Sequence, residues 1–339
     1  MIIEAKERRA RPAQPGTPAI APNPAVFRVR VEEDSAGQRL DNFLVKLLKG
    51  VPKTHVYRVI RSGEVRVNKG RAGADTRLAL GDEVRVPPVR MSSSTADREA
   101  AAPAREFPVI FEDAHLIVVD KPAGVGVHGG SGVSFGVIEQ LRRARPQAKF
   151  LELVHRLDKE TSGLLLVAKK RSALTALQDQ FRSRETGKTY AALVLGVWPA
   201  SKKVIDVALH KFLTGEGERR VRAVEDDHDD GRRSITLVKV AQKFADFTLL
   251  DVTIKTGRTH QIRVHLTHEG HPIAGDAKYG DFAVNKALAK GEAVRGHRFD
   301  RMFLHARRLR FEHPATGAVM ELESALPAEC VALLTALST

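Results

Sequence analysis

The 339-residue sequence is poor in cysteine and in long apolar segments. Its single cysteine, Cys330, supports neither an intrachain disulfide nor a cysteine-based metal site, which fits a reducing compartment. No apolar run approaches the roughly 18 residues that a membrane-spanning helix needs. The N-terminus also lacks the apolar core of a secretory signal. We therefore expect a cytoplasmic protein without a membrane span.

Positive charge, by contrast, is abundant. The chain has 55 Lys and Arg residues against 41 Asp and Glu residues, which gives a net charge of +14. Such an excess suits a polyanionic partner, of which nucleic acid is the commonest. Many soluble proteins are basic without binding nucleic acid, so the charge alone leaves the partner open.

Three motif-like segments lack the residues that would give them a cofactor or a metal ion. The glycine-rich segment 124–132 matches neither a P-loop nor a Rossmann fingerprint, which predicts a flexible loop or a plain turn. The segment 155–158 departs from the kinase catalytic loop, because its Asp comes one residue late and no Asp-Phe-Gly follows. A group of histidines lacks the i, i+4 spacing of a zinc-binding helix; it comprises His260, His265, His268 and His271. We expect neither metal nor cofactor.

Composition divides the chain into four segments. Residues 1–26 are rich in proline and predict a disordered tail, and residues 91–106 are rich in Ser and Ala and predict a flexible linker. Residues 27–90 predict a small module, and residues 107–339 a larger domain. Within the larger domain we expect Ser134 and Ser172 to cap helices. The polar stretches 215–233 and 283–300 predict surface loops.

The small module combines apolar helix faces with basic residues. Apolar side chains recur at helical spacing from Leu40 to Leu48 and from Val56 to Ile60, and short alternating strands flank them. The segments 37–44 and 60–68 resemble the S4 RNA-binding domain. That resemblance implies that the basic side chains meet RNA phosphates; the candidates are Arg39, Lys53, Arg58, Arg61 and Lys69. The alternative is an ordinary solvated basic face.

Two stretches of the larger domain concentrate ionisable groups. His155, Arg156 and Asp158 directly precede the apolar run Leu164–Ala168, which predicts a buried strand beside a loop that carries an acid. The second stretch, 256–263, brings Arg258 and Arg263 near a predicted helix start and indicates anion binding. Each also has an ordinary interpretation: a surface loop with an Arg–Asp pair, and unremarkable surface arginines.

Three blocks of this domain resemble one family in the same order. The blocks 155–163, 188–190 and 257–265 are similar to the signature segments of the RluA-type pseudouridine synthases, and segments 120–124 and 311–314 also fit. The resemblance covers about residues 27–327. Segments 127–136 and 168–174 are most similar to the members of the family that act on 23S ribosomal RNA.

The resemblance implies an isomerase that converts uridine to pseudouridine in RNA without metal or cofactor. It also implies an α+β fold, with a mixed, mostly antiparallel bent sheet, flanking helices and a cleft across the sheet. The expected partner is 23S ribosomal RNA, and we expect a monomer. Two alternatives stay open: a member of the family that modifies tRNA or another ribosomal RNA, and a catalytically silent RNA-binding or ribosome-assembly protein.

The resemblance also assigns roles to residues. Asp158 is the catalytic carboxylate, which attacks either C6 of the base or C1′ of the sugar. Arg263 is the partner of Asp158, which an arginine can hold by two parallel hydrogen bonds. Tyr190 stacks on the flipped base, and its hydroxyl can accept or relay the proton that leaves C5; Arg156 fills the space that the nucleotide leaves. The remaining candidates for substrate binding are His155, Arg258, His260, Ile262 and Leu266.

Overall fold

The computed structural model describes residues 26–48, 51–89, 102–130, 134–215, 218–225 and 228–339. Two compact units divide these residues: one covers 26–32 and 37–89, and the other covers 33–36 and the described residues from 102 onwards. The predicted N-terminal tail, up to residue 25, and the predicted linker, up to residue 101, lie outside the described residues. None of the described helices is both long and apolar enough to cross a lipid bilayer.

The first unit is a small α+β module. It contains β1 (Phe27–Arg30), α1 (Leu40–Leu47), α2 (Lys53–Arg61), β2 (Arg66–Val67), β3 (Gly70–Arg71) and β4 (Glu83–Val86). The strands form one antiparallel sheet in the order β1-β4-β2-β3. The predicted apolar faces of α1 and α2 are buried, with Leu40, Leu44 and Val56 fully enclosed in one core with Val84 of β4.

The second unit contains the remaining elements. They are β5 (Val109–Glu112), β6 (Leu116–Lys121), α3 (Val137–Ala144), β7 (Glu152–Leu153), β8 (Ser162–Ala168), α4 (Arg171–Ser183), β9 (Gly187–Leu195), β10 (Val204–Asp206), β11 (Ala208–Leu213), β12 (Arg219–Val224), β13 (Ile235–Lys243), β14 (Phe247–Ile254), α5 (Gln261–His268), α6 (Phe282–Lys290), β15 (Leu304–Glu312), β16 (Val319–Glu323) and α7 (Ala328–Ser338).

A ten-stranded sheet forms the centre of this unit. Its order is β10-β13-β14-β9-β15-β8-β6-β5, with β16 added to β15 and β7 to β8, while β11 and β12 form a separate hairpin. All pairs in the large sheet are antiparallel except β15–β8, which is parallel. Every residue of β8 is buried, as expected for a strand covered on both faces. The predicted α+β class with a mixed, mostly antiparallel sheet is confirmed.

Gly163 allows the close parallel contact between β8 and β15. Its φ of +108° lies in the region that favours glycine, and a Cβ there would sit 2.3 Å from the carbonyl oxygen of Ala306. Any larger residue would push β8 away from β15. The glycine therefore fixes where the loop before β8, which carries Asp158, leaves the sheet.

Both predicted serine caps are wrong. The N-cap of α3 is Gly136, whose N–H donates to the side chain of Glu139 at 2.9 Å. The acidic side chain thus provides the acceptor for a backbone N–H at the start of the helix. Helix α4 begins at Arg171 with Lys170 as its N-cap, which places Ser172 inside the first turn. The sequence predicted that these two helices exist, but the residues at which they begin depend on the backbone around them.

Both predicted surface loops contain regular structure. Strand β12 lies within 215–233 and pairs with β11 over its full length. Helix α6 lies within 283–300 for most of its length, and its start is stabilised by the Asp281 carboxylate, which accepts hydrogen bonds from the N–H groups of Ala283 and Val284. The Asp281 cap was a readable signal, whereas β12, half of whose residues are arginine, lies in a polar stretch and depends on its partner strand.

Candidate active site

A cleft over the sheet gathers seven of the nine predicted catalytic and substrate-binding residues. Its walls come from the loop before β8, from β9 and β14, and from the segment that begins α5. The seven are Arg156, Asp158, Tyr190, Arg258, His260, Ile262 and Arg263. Three blocks that are distant in sequence therefore meet at one place, which makes the cleft the candidate active site.

The loop that carries Asp158 is anchored by a buried lysine of β6. The Lys121 ammonium has no exposed surface and donates to the carbonyls of Pro122, Val125 and Lys159 at 2.8, 2.9 and 3.1 Å. Burial lowers the pKa of Lys121 to about 7. The loop also closes on itself, because the N–H of Thr161 donates to the carbonyl of Asp158 at 3.1 Å.

The two oxygens of the Asp158 carboxylate have different surroundings. Oδ2 accepts a hydrogen bond from Nη1 of Arg263 at 3.3 Å and lies 3.8 Å from Nε2 of His260. Oδ1 has no hydrogen-bond or ion-pair partner among the described residues. The side chain is 19% exposed, so one oxygen is held and the other is available to a bound molecule.

Arg263 is held chiefly by a carboxylate that the sequence did not reveal. Its Nε and Nη2 donate to the two oxygens of Asp276, both at 2.7 Å, and the ring of Tyr279 lies 5.0 Å from its guanidinium carbon. Burial opposes charge on both groups, yet the pairing raises the pKa of Arg263 and lowers that of Asp276. The guanidinium makes its double hydrogen bond with Asp276 and contributes one bond to Asp158. The pair of hydrogen bonds that an arginine can make to one carboxylate is therefore not formed between Arg263 and Asp158.

Tyr190 stands on β9 in the wall of the cleft. It is 8% exposed, and burial together with the charge of Asp158 raises the pKa of its hydroxyl. The phenol therefore keeps its proton at neutral pH. Its ring offers an apolar surface, and its hydroxyl can both donate and accept a hydrogen bond.

His260 occupies an unusual backbone conformation at the start of α5. Its φ is +52° and its ψ is 20°, a left-handed geometry that is uncommon for residues other than Gly, although Asn, Asp and His adopt it more often than the rest. Nδ1 lies 2.8 Å from the hydroxyl of Tyr279. Burial lowers the pKa of His260 to about 4, so the ring is neutral at neutral pH.

His155 and Leu266, two predicted substrate-binding residues, do not line the cleft. The His155 ring stacks on Phe181 with centroids 4.8 Å apart, and its Nε2 accepts the N–H of Leu166 at 3.1 Å. Leu266 is fully buried in the core, one helical turn beyond Ile262, whose position at the start of α5 leaves it in the cleft wall. In each case the core provides a partner that local sequence did not indicate.

All five predicted RNA-binding residues of the first unit are exposed; they are Arg39, Lys53, Arg58, Arg61 and Lys69. Arg39 is also held by Asp41 through two hydrogen bonds of 3.2 and 2.7 Å, which fixes the direction of its guanidinium. The exposed cations are therefore free of the core, as phosphate contacts require.

Lys121, Asp276 and Tyr279 are the site residues that sequence reasoning missed. A signal existed for the last two, because they lie between Gly275 and Gly280, where a Cβ would approach backbone oxygens at 1.9 and 2.3 Å. Such glycines mark a turn that must come close to another backbone. For metal ions the described residues hold no group of three or more ligand side chains that could bind one.

Comparisons with known proteins agree with this geometry. The family model for RNA pseudouridylate synthase matches residues 115–268, and the S4 domain model matches residues 38–84. The ribosomal large subunit pseudouridine synthase C of Yersinia pestis is 50% identical over 311 residues, which cover 90% of this chain and 93% of the relative. The protein of the same name from Escherichia coli (strain K12) is 49% identical, with 89% and 93% covered.

Solved structures show the same likeness at lower identity. Human RNA pseudouridylate synthase domain containing 4 matches with a TM-score of 0.55 and 27% identity, over 68% of this chain and 92% of that one. Human RNA pseudouridylate synthase domain containing 1 gives a TM-score of 0.53 at 27% identity, over 66% and 84%.

The chain belongs to the RNA pseudouridylate synthase family. It is an RNA pseudouridine synthase, an isomerase that converts uridine to pseudouridine, and it carries an S4 domain in its first unit. The predictions of family, fold and enzyme class are confirmed.

Proposed function

We propose that this enzyme isomerises several uridines of the 23S, large-subunit ribosomal RNA, with Asp158 as its catalytic carboxylate. One observation supports this choice of substrate: about half of the residues, along nearly the whole chain, are identical to those of relatives named for the large ribosomal subunit. The net charge of +14 is consistent with so large a polyanion. We further propose that the enzyme works as a monomer in the cytoplasm.

The reaction exchanges one bond to the sugar for another. The bond from C1′ to N1 breaks, the uracil turns, and C1′ bonds to C5; C5 then loses its proton and N1 gains one. Oδ1 of Asp158 is the attacking atom, at C1′ or at C6, and the bond that it forms breaks again before pseudouridine is released, which restores the carboxylate. Among the described residues Oδ1 has no partner, while Oδ2 is bound by Arg263, and this supports the assignment because a nucleophilic oxygen must be accessible.

Arg263 serves as a fixed cation beneath the nucleophile. Its charge persists in a buried site, and the double hydrogen bond to Asp276 prevents the guanidinium from turning towards the RNA backbone. The Nη1 group then remains for Asp158 and donates one hydrogen bond to Oδ2. The attacking carboxylate is therefore oriented before the nucleotide enters, which reduces the reorganisation that the reaction requires.

Tyr190 provides the surface on which the flipped uracil stacks. Because the phenol is protonated at neutral pH, its hydroxyl relays the proton that leaves C5 rather than removing it as a phenolate. Arg156, which is exposed at the cleft, takes the place that the uridine leaves in the RNA. Flipping a base costs a few kcal/mol of stacking, and a planar cation recovers part of that contact.

Arg258, His260 and Ile262 complete the proposed substrate contacts in the cleft. The exposed cations of the S4 domain bind phosphates outside it, which contributes affinity and the choice of site. Those cations are Lys53, Arg58, Arg61 and Lys69, with Arg39 oriented by Asp41.

Pseudouridine mapping tests the proposal. RNA would be taken from cells that lack this protein and from the same cells that produce the wild-type enzyme or Asp158→Asn. We expect discrete 23S uridines to be modified with the wild type and none with Asp158→Asn, a loss of roughly 10³-fold or more in rate. Asp179→Asn, an acidic residue exposed on α4, is the matched control and should behave as wild type.

Two outcomes would overturn parts of the proposal. Modification of tRNA with an unchanged 23S map would remove the ribosomal substrate. Full activity of Asp158→Asn would instead remove the catalytic role of that carboxylate and leave the substrate assignment untouched.

A further inference from the structure

A chain of polar groups connects the β11–β12 hairpin to the carboxylate of Asp158. The N–H of Val221, on β12, donates to the hydroxyl oxygen of Tyr279 at 3.1 Å. That hydroxyl lies 2.8 Å from Nδ1 of His260, whose Nε2 in turn lies 3.8 Å from Oδ2 of Asp158. The chain therefore ends on the same oxygen that Arg263 binds.

The donor and acceptor groups in this series of polar contacts determine which atom donates at each step. A backbone N–H can only donate, so the oxygen of Tyr279 accepts from Val221 and its proton is free for Nδ1 of His260. A neutral imidazole that accepts at Nδ1 carries its proton at Nε2, which faces Asp158. The opposite tautomer would place a lone pair against a carboxylate oxygen and is disfavoured.

Tyr279 is held firmly enough to select that tautomer. Its ring packs against the guanidinium of Arg263, and its carbonyl accepts the hydroxyl of Thr267 at 2.9 Å. The neighbouring Lys278 ammonium donates to the carbonyl of Arg219 at 2.7 Å and is paired with Glu218. These contacts fix the turn that carries Tyr279 against the hairpin.

The backbone of His260 also indicates a selected side-chain position. A left-handed φ is uncommon for residues other than Gly; His adopts it more often than most, but Gly would occupy this position at lower cost. Strain of this kind persists where the surrounding contacts determine the conformation, and it concentrates at functional sites. Here the strained residue points both ring nitrogens at polar partners.

We propose that His260 is a positioning residue that directs a neutral Nε2–H donor at Oδ2 of Asp158, with its tautomer set by Tyr279. The inference rests on the catalytic role proposed for Asp158. A neutral donor orients the carboxylate without adding a second positive charge beside it. Oδ2 is then approached from two sides, by His260 and by Arg263, and Oδ1 faces the nucleotide.

Two substitutions at position 260 separate positioning from stability. Asn tolerates the left-handed backbone and keeps an acceptor near the place of Nδ1, but it is too short to reach Asp158. Gln fits the backbone less well, yet its amide N–H reaches the place of Nε2. We therefore expect His260→Asn to be at least as stable as His260→Gln and to have the lower kcat.

The assay would use full-length enzyme and 23S ribosomal RNA transcribed in vitro. For His260→Asn we expect kcat to fall about 10-fold and KM to change less, because the variant loses the N–H donor that lies 3.8 Å from the charged Oδ2, whereas the imidazole is one of several substrate contacts in the cleft. His260→Gln should recover most of that loss. Thermal unfolding of both variants provides the stability comparison.

Tyr279→Phe tests whether the tautomer matters. It removes the hydroxyl but keeps the ring against Arg263, and we expect a fall in kcat of several-fold. In a His260→Gln background the same change should have no further effect, because the amide does not need its proton placed. Equal effects in the two backgrounds would show that Tyr279 does not act through His260.

The outcomes also separate this inference from the proposed function. Wild-type kcat in His260→Asn, together with an inactive Asp158→Asn, would overturn the positioning role alone. An active Asp158→Asn would overturn the assignment on which the inference rests. Loss of kcat in proportion to loss of stability, with His260→Gln the worse of the two, would reduce His260 to a structural residue.

Discussion

The two units of this protein both carry positive charge, but they place it in opposite ways. In the S4 domain, side chains such as Lys53, Arg58 and Arg61 are exposed. In the catalytic unit, Lys121 is fully buried and Arg263 is 6% exposed, and each is surrounded by oxygen acceptors. The first set is open to any phosphate, whereas the second is committed to protein partners.

This difference separates affinity from chemistry. Exposed charges attract a polyanion over a distance of about 10 Å at moderate salt and lose strength as salt increases. Buried charges are screened little, but each must be compensated because an unpaired ion in the core is very unfavourable. Substitutions should accordingly affect binding in the S4 domain and both folding and turnover in the catalytic unit.

The largest effect is expected when the partner of a buried cation is removed. Asp276→Ala leaves the guanidinium of Arg263 without its double hydrogen bond, which should reduce the free energy of unfolding by about 3–5 kcal/mol. Turnover should fall as well, since Arg263 is then free to move away from Asp158. Denaturant unfolding and a single-turnover assay would measure the two effects.

An exposed ion pair provides the control for Asp276→Ala. Asp179 pairs with Arg182 on the surface of α4, where the two side chains are 55% and 73% exposed. Asp179→Ala should leave unfolding unchanged within error. Equal losses in the two variants would mean that burial does not distinguish these carboxylates.

A smaller, pH-dependent effect is expected for Lys121. Its pKa in the folded protein is about 7, against 10.5 for the free side chain. Between these values the unfolded chain binds a proton that the folded protein has released, so stability rises with pH by up to about 1.4 kcal/mol per unit. Below about pH 7 both states are protonated and this contribution is constant.

Lys121→Met should remove the rise between pH 7 and pH 9.5. Denaturant unfolding of the wild type and of the variant at several pH values would give the difference, in which other titrating groups cancel. An identical slope in the two proteins would show that Lys121 keeps its proton through this range, held by the three carbonyls around it.

The smallest effect is expected for a single exposed cation of the S4 domain. Arg58→Ala should lower the slope of log affinity against log salt by about 1 and leave kcat at saturating RNA unchanged. Fluorescence anisotropy with a labelled 23S fragment at several salt concentrations would measure the slope. Arg310→Ala on β15, where the guanidinium is paired with Glu321, is a control of equal charge. A fall in kcat with an unchanged slope would contradict the division between the two units.

The prediction of the site grouped residues that share a motif, and their chemical roles stay a prediction. Asp158, Tyr190 and Arg263 belong to three blocks that resemble one family, and the structure gathers all three in one cleft. It failed where the partner of a residue comes from a different part of the fold. Asp276 lies 13 residues beyond Arg263 in the chain, and only the turn between Gly275 and Gly280 brings its carboxylate back.

Local structure followed the same division. The apolar run before Lys169 predicted the buried strand β8 because a short, continuous hydrophobic segment bounded by Gly163 and Lys169 is typical of a strand that is covered on both faces. Strand β12 has three arginines among its six residues and no continuous apolar run, so it gave no such signal, and its order comes from hydrogen bonds to β11. The Asp281 cap of α6 was available in the sequence, and weighing it would have predicted that helix.

The sequence by itself determined the family, the α+β class and the reaction, and it supplied Asp158 as the proposed acid, because these depend on ordered motifs and on hydrophobic patterns that the chain displays locally. The tertiary structure alone decided which oxygen of Asp158 is held, which carboxylate carries Arg263, and which way the ring of His260 faces. Those choices depend on ångström distances between segments far apart in the chain. Hydrogen bonds lose their strength within a fraction of an ångström, and no periodicity in a sequence encodes a separation that fine.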